Sequence, residues 1–385
     1  MTKQLGIVGL AGLLLLTGCL PALERTEEEV IVVDEEEEEE IEYVITPTIH
    51  TPENFFRNVL KDGQYQRNPG RGDVNGSMAN RVDLDQFEVG LMEIASASFS
   101  QDNYYFQEGQ ILETGTINSW LSRSSESNES GLNPAIDQET EGEERVDEMR
   151  NNPAYISHIM EHNYMYEDGE DGVKLGGIVI GIGLRSVYSF RDEDWRSYEV
   201  SLDPDEVEAY GKEAAEEIVR RFRTREDLED IPITVALYRE EKRQSIVPGS
   251  FFAIAETSGS DIGRWEAINE EHFFFPSNRA TENNRDHAEA FNHFKQDIDD
   301  FFGRSIGVIG KARYKSGNIA ELKIDVNLQS HGKGEIIALT QYISGRLDAH
   351  FTFDAPITVN LESVNGAEAL VVKHGGQDDP FVHVY

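Results

Sequence analysis

The string Pro-Ile-Thr-Val-x-Leu occurs twice in this chain, at 232–237 and again at 356–361. A repeated local sequence asks for a repeated local structure, so this pair limits the admissible folds more than any other feature. Ile, Thr and Val are β-branched and suit a strand, while proline lacks the N–H that a strand interior donates. Each string therefore reads as a strand beginning just after its proline. A second strand candidate follows each, at 250–256 and 368–373, which makes two hairpins. A looser copy, Leu-Asp-Gln-Phe-Glu-Val-Gly-Leu-Met-Glu-Ile at 84–94, has its own follower at 104–112 and suggests a third.

The filling between hairpins repeats too. After the first come a helical stretch at 153–165, a strand at 177–188 and an amphipathic helix at 204–222. That helix has Asp203 as N-cap, Pro204 in its first turn, and Val207, Tyr210, Ala214, Ile218 and Phe222 on one face. After the second hairpin come a helix at 288–302, strands at 306–314 and 319–328, and a helix at 334–347. The third hairpin closes the chain. The order ββ-α-β-α-ββ-α-ββ-α-ββ predicts an α+β fold of two tandem repeat units, 53–228 and 229–385, with a junction at 224–230. It lacks the regular βα alternation of a doubly wound sheet.

The N-terminus has a different character. Lys3 precedes an apolar run at 5–16, shorter than the roughly 20 residues of a membrane-spanning helix but right for a secretory leader. It ends in Leu16-Thr17-Gly18-Cys19, a lipoprotein-processing pattern. Small residues before the cut fit a peptidase cleft, and the Cys19 thiol is the soft nucleophile that takes a diacylglyceryl group. Cys19 is the only cysteine in the chain, which excludes an internal disulfide framework and a multi-thiolate metal site. Residues 1–18 are thus read as a lipoprotein signal peptide. Each buried acyl methylene contributes about 0.8 kcal/mol, so two or three chains on Cys19 hold firmly.

Residues 19–52 read as an acidic, disordered tether. Between 24 and 42, twelve acids and one arginine give −11, including six consecutive glutamates at 35–40. Like charges repel and keep such a stretch extended as a spacer. A divalent-cation site is the sharper alternative, but adjacent glutamates supply no turn to wrap an ion. The whole chain has 34 Lys and Arg against 73 Asp and Glu, net −39. That balance excludes a nucleic-acid partner and a body lying flat on anionic lipid. Segments at 63–80 and 122–144 read as loops; Arg71-Gly72-Asp73 in the first is too short a match to integrin-type tripeptides to carry weight.

Candidate chemistry is thin. His158-Ile159-Met160-Glu161-His162 matches His-x-x-Glu-His, in which histidines one helical turn apart bind zinc and the glutamate polarises water. No second motif supplies a third ligand, and Ile156, Ile159 and Met160 give the segment ordinary packing positions. Gly177-Ile-Val-Ile-Gly181-Ile-Gly183 lacks dinucleotide-loop and phosphate-loop spacing and reads as a strand crossed closely by a helix. The aromatics Tyr104, Tyr105, Phe106, Trp120, Tyr164, Tyr166 and Phe273–Phe275 fit core packing, with a peptide or glycan groove as the alternative.

Taken together, the chain resembles the CamS lipoproteins of Gram-positive bacteria, the sex-pheromone-precursor family. The resemblance rests on Asn80-Arg81-Val82-Asp83-Leu84-Asp85-Gln86-Phe87-Glu88-Val89-Gly90-Leu91-Met92 and Tyr104-Tyr105-Phe106-Gln107-Glu108-Gly109-Gln110. Phe55-Phe56-Arg57-Asn58-Val59-Leu60, Trp120-Leu121, Gly131-Leu132-Asn133-Pro134 and Asn152-Pro153-Ala154-Tyr155-Ile156-Ser157-His158-Ile159 extend it. It implies a tandem α+β body, an acylated cysteine and, in some members, a mating pheromone cut from the leader. It supplies no role for the folded body.

The expectation is a lipid-anchored protein on the extracytoplasmic face of the cell membrane, without a cofactor and leaning away from catalysis. Its partners are the membrane, through Cys19, and an unknown extracytoplasmic ligand or protein. The alternative is a cell-envelope hydrolase, a zinc peptidase using His158, Glu161 and His162.

Overall fold

A computed structural model describes residues 29–33, 41–48, 55–70, 78 and 80–385, apart from 170–171, 258, 260, 330–331 and 378. The fold is α+β. Its N-terminal strands are β1 (Glu29–Val33), β2 (Ile41–Ile45), β3 (Val59–Lys61) and β4 (Gln64–Tyr65), which form one small antiparallel sheet. Next come α1 (Arg81–Ser98), β5 (Tyr105–Glu108), α2 (Thr114–Leu121), α3 (Gly142–Asn151), β6 (Ile156–Glu167) and β7 (Val173–Leu184). A separate hairpin, β8 (Val187–Arg191) and β9 (Ser197–Ser201), leads into α4 (Pro204–Phe222). Strands β10 (Ile233–Arg239), β11 (Ser250–Thr257), β12 (Glu266–Ala267) and β13 (Glu270–Phe275) follow, then α5 (Asn278–Asn283) and α6 (Arg285–Phe302). The chain finishes with β14 (Gly307–Lys315), β15 (Asn318–Asn327), α7 (Lys333–His350), β16 (Ile357–Ser363), β17 (Gly366–Lys373) and β18 (Phe381–Val384).

Two six-stranded sheets dominate, in the orders β5-β6-β7-β10-β11-β12 and β13-β14-β15-β16-β17-β18. Each has one parallel pair at its centre, β7 with β10 and β15 with β16, and antiparallel pairs elsewhere. A parallel pair needs a crossover, and α4 and α7 supply it. The two Pro-Ile-Thr-Val strings become β10 and β16. In each, the proline carbonyl accepts from the parallel neighbour: Ile178 N–H to Pro232 O at 2.9 Å, Leu322 N–H to Pro356 O at 3.0 Å. Each proline stands just before its strand, where no donor is missed, and its carbonyl starts the ladder.

The helices at 204–222, 288–302 and 334–347 and the strands after 306 form close to their predicted bounds, and the Asp203 side chain caps α4 through the Asp205 and Glu206 N–H groups. Other expectations need correction. Residues 84–94 belong to helix α1, not a strand. Asp83, Phe87, Leu91 and Ala95, four apart, are buried together with Gly90, and the Asn80 side chain caps it. Conversely, 153–165 is not helical: β6 pairs with β7 along nearly its whole length. Covered on both faces, β6 shows no polar alternation to betray a strand. The second hairpin joins the first sheet, so the handover between sheets falls between Ala267 and Glu270, not at 228–229.

The acidic tether is also corrected in part. Glu29–Val33 pairs antiparallel with Ile41–Ile45, which pairs in turn with β3. The β-branched run Val-Ile-Val-Val carries strand propensity that outweighs the surrounding charge. The glutamates at 35–40 lie outside the described residues, as do Arg71-Gly72-Asp73.

The first sheet is covered on both faces. Ile178, Ile180 and Ile182 of β7 meet Val207, Ala215, Ile218 and Phe222 of α4. The alternate residues, Gly177, Val179 and Gly181, face α1. A Cβ on Gly177 would lie 2.1 Å from Phe99, and one on Gly181 2.5 Å from Phe87 and 2.7 Å from Leu91. The glycines are what let α1 lie this close, as the sequence reading expected. The second sheet packs α6 and α7 around Phe291, Phe294, Ile298, Leu339, Ile343 and Leu347.

Candidate functional site

The zinc reading fails on local geometry. His158, Glu161 and His162 sit on a strand, where adjacent side chains point to opposite faces, so Glu161 and His162 diverge. The Glu161 carboxylate turns to the loop after β5 and accepts from the N–H groups of Gln110 (3.2 Å), Ile111 (3.1 Å) and Leu112 (2.7 Å). Burial raises its pKa, and these hydrogen bonds oppose the rise. The His158 ring packs edge-on to Phe87 and the His162 ring edge-on to Phe106. Among the described residues no group of three or more His, Cys, Asp or Glu is placed to hold a metal. The three residues are therefore core and loop-anchoring residues. The aromatics follow suit: Tyr105, Phe106, Trp120, Tyr164, Phe273 and Phe275 are buried, and only Phe274 of that last run reaches the surface.

A different place concentrates polar chemistry. In open sheets with a parallel core, ligands bind beyond the carboxyl ends of the parallel strands. Here β7 ends at Leu184 and β10 at Arg239, and a cleft of about 330 Å³ opens there. The β8–β9 hairpin, the loop after β10, and β13 with α5 surround it.

Its floor is a buried polar network. The Glu240 N–H donates to Leu184 O at 2.8 Å, continuing the parallel ladder by one residue. The buried Glu240 carboxylate accepts from Ser157 Oγ. Arg185 donates from Nη1 to Ala154 O (3.1 Å) and Ile156 O (2.6 Å). Burial lowers the Arg185 pKa and the nearby Glu240 charge counters that. Ser186 Oγ is buried with no hydrogen-bond partner among the described residues.

One wall is latched by Asp83, fully buried at the start of α1. Its Oδ1 accepts from Gly249 N–H (2.6 Å), Tyr238 OH (2.9 Å) and Glu241 N–H (3.4 Å). Burial is the largest influence on this carboxyl and raises its pKa, with those three bonds opposing. Gly249 has no room for a side chain: a Cβ would sit 1.9 Å from Arg239 O. The Asn80 side chain donates to Ser245 O at 2.8 Å, so the middle of the 240–249 loop is tied to the start of α1 as Asp83 ties its two ends.

The opposite wall comes from the second sheet. Glu270 receives Arg313 at 2.6 and 3.1 Å, and Arg313 also reaches Glu93 of α1 at 2.6 Å. His272 meets Ser250 Oγ through Nδ1 at 3.2 Å, and burial with the Arg313 charge pushes its pKa down to about 3, so the ring is neutral at physiological pH. Sequence reasoning singled out none of Asp83, Ser157, Arg185, Glu240 or His272 for this cleft. They lie far apart in the chain with no motif spacing, and Asp83 and Ser157 entered only inside quoted strings.

The family model for the CamS sex pheromone cAM373 precursor matches residues 65–379, most of the chain. The chain belongs to the CamS family. Solved relatives agree. A sex pheromone precursor from Lactobacillus salivarius subsp. salivarius UCC118 is 27% identical over 89% of this chain and 99% of its own, with a TM-score of 0.81. The C-terminal domain of the sex pheromone staph-cAM373 precursor from Staphylococcus aureus is 29% identical over 81% of this chain and 99% of its own, with a TM-score of 0.69. No curated protein matches the chain. The matched CamS region takes in the first large sheet, all of the second but its edge strand β18, and the cleft. Leu16, Thr17, Gly18 and Cys19 lie outside it and outside the described residues. Among the described residues no helix is long and apolar enough to cross a membrane.

Proposed function

We propose that this CamS protein is a lipoprotein of the extracytoplasmic membrane face, anchored through diacylglyceryl-Cys19, whose leader is the source of a short peptide and whose body binds an extracytoplasmic ligand in the cleft beyond β7 and β10. The observation that carries the anchor and the leader is Leu16-Thr17-Gly18-Cys19, closing a short apolar run at the sole cysteine of the chain. Membership of a pheromone-precursor family supports the peptide. Cutting before Cys19 and trimming the leader yields residues 12–18, Gly-Leu-Leu-Leu-Leu-Thr-Gly. Its uncharged, leucine-rich side chains suit passage through a membrane and capture in an apolar pocket.

Two measurements test this. Palmitate labelling of the intact chain should be lost in Cys19→Ala, with the unprocessed precursor accumulating; acyl-dependent membrane retention in that variant refutes the anchor. Synthetic 12–18 should be inactive or weak on cells that respond to the family's pheromone, which is richer in isoleucine and alanine and carries an aromatic residue. An apolar pocket distinguishes even one methylene by roughly 1–3 kcal/mol. Full activity at the concentration where the family's own peptide works refutes that specificity argument.

A further inference from the structure

We infer that the cleft beyond β7 and β10 takes a phosphorylated polyol, with Arg239, Lys242 and Arg243 on the phosphate. This rests on reading the cleft as the ligand site and names what the site accepts.

Charge pairing is the first ground. With 34 cations against 73 acids, a cation in this chain readily finds a carboxylate. Arg313 takes Glu93 and Glu270, Arg279 takes Glu241, and Lys315 takes Glu93. Arg239 and Lys242 line the cleft, Arg243 lines an adjoining hollow that shares Lys242 and Glu240 with it, and all three are exposed and form no ion pair among the described residues. Arg239 instead lies over the Phe252 ring, 5.9 Å from its centroid, which holds the guanidinium at the cleft. Three uncommitted cations within five residues are what an anion needs, and none has to leave a partner to bind one.

The acids of the cleft are the second ground. Glu240, Glu241 and Glu270 are engaged by Ser157, Arg279 and Arg313. Glu271 in the cleft and Glu199 in the adjoining hollow remain, and each carboxylate is an acceptor with no donor of its own to offer. A bare phosphate has few donors for them and meets their repulsion. A phosphate carried on a polyol brings hydroxyl donors to these carboxylates and oxygens to the cations. Ser186 Oγ, buried without a partner at the floor, adds a hydroxyl that donates or accepts.

The test uses the mature acylated chain in non-ionic detergent, titrated calorimetrically at low salt with glycerol 1-phosphate, glycerol and triglutamate. Glycerol 1-phosphate should bind saturably, and glycerol should not. The Lys242→Ala/Arg243→Ala double variant should weaken binding about tenfold or more, and Arg239→Ala should weaken it further. Arg264→Ala, an unpaired cation outside the cleft, should change nothing. All four positions are exposed, and a circular-dichroism melt shows whether each variant is folded. Equal weakening by Arg264→Ala would mean non-specific charge attraction and overturn the inference. Triglutamate binding as tightly as glycerol 1-phosphate, with the same variant pattern, overturns the phosphate assignment and leaves the cleft as a ligand site. Absence of saturable binding by every probe overturns the inference outright; the anchor and leader are tested separately through Cys19.

Discussion

Replacing Gly181 by alanine tests the glycine lane that seats α1 on the first sheet. The new Cβ would lie 2.5 Å from the Phe87 ring and 2.7 Å from Leu91 Cδ1. Both residues are fully buried, and Phe87 is boxed in by Tyr238, Phe251 and His158 at ring separations of 5.2, 5.6 and 5.5 Å. Neither side chain has free space to retreat into, so α1 must lift. Overpacking of this kind costs about 1–3 kcal/mol. Against it stands a gain of about 0.4–1 kcal/mol from the stiffer unfolded chain. The expected net effect is a loss of about 1–2 kcal/mol, read from urea unfolding followed by fluorescence of the buried Trp120. Trimming the neighbour provides the control. Leu91→Ala alone should cost about 2–5 kcal/mol, but less in the Gly181→Ala background, because the added methyl then occupies vacated space. A coupling of about 0.5–3 kcal/mol is expected for residues in such contact. A neutral or stabilising Gly181→Ala, or strict additivity with Leu91→Ala, would show that α1 does not press on β7 as described.

Three further outcomes are expected. Because burial raises the Asp83 carboxyl above its ordinary 3.8, its stabilising contribution is complete below that value and is lost as pH rises through the folded pKa. Asp83→Asn should therefore cost more at pH 4 than at pH 7 in urea midpoints; a larger cost at pH 7 contradicts the sign. Glu161→Ala strips the acceptor from three backbone N–H groups and should lower stability by about 3 kcal/mol, with metal analysis unchanged; stoichiometric zinc lost in that variant would revive the peptidase reading. Amides of Glu29–Val33 and Ile41–Ile45 should exchange with deuterium more slowly than unstructured peptide, and exchange at the coil rate would remove the β1–β2 pairing.

Much of the fold is legible in the sequence where a local rule acts alone. The α4 helix carries its own cap, first-turn proline and apolar stripe, and its bounds follow. The Pro-Ile-Thr-Val strings announce β10 and β16, because proline before a β-branched run has one comfortable position in a sheet. The glycines of β7 signal a close crossing. The errors fall where a mixed apolar and polar string fits two periods, or where burial on both sides removes any period. The stretch 81–98 alternates loosely enough to imitate a strand, and its buried residues, four apart, identify a helix only once a sheet lies beneath them. The stretch 156–167 carries polar His158, Glu161, His162 and Asn163 on a strand buried throughout its middle, because each finds a partner or packs against a ring.

The sequence alone determined the α+β class, the family resemblance carried by the CamS strings, and the two strands built on Pro-Ile-Thr-Val. The class and the strands follow from short-range sterics, which need no distant partner, and the resemblance from strings that the family match bears out. Only the tertiary structure decided that His158, Glu161 and His162 are anchoring and core residues, since strand geometry sends neighbours to opposite faces. It alone brought Asp83, Ser157, Arg185, Glu240 and His272 around one cleft, from the start of α1, one strand of each large sheet and the turns that follow β7 and β10. Side chains so far apart in the chain meet only through sheet order and crossover. No spacing within a linear sequence encodes that meeting.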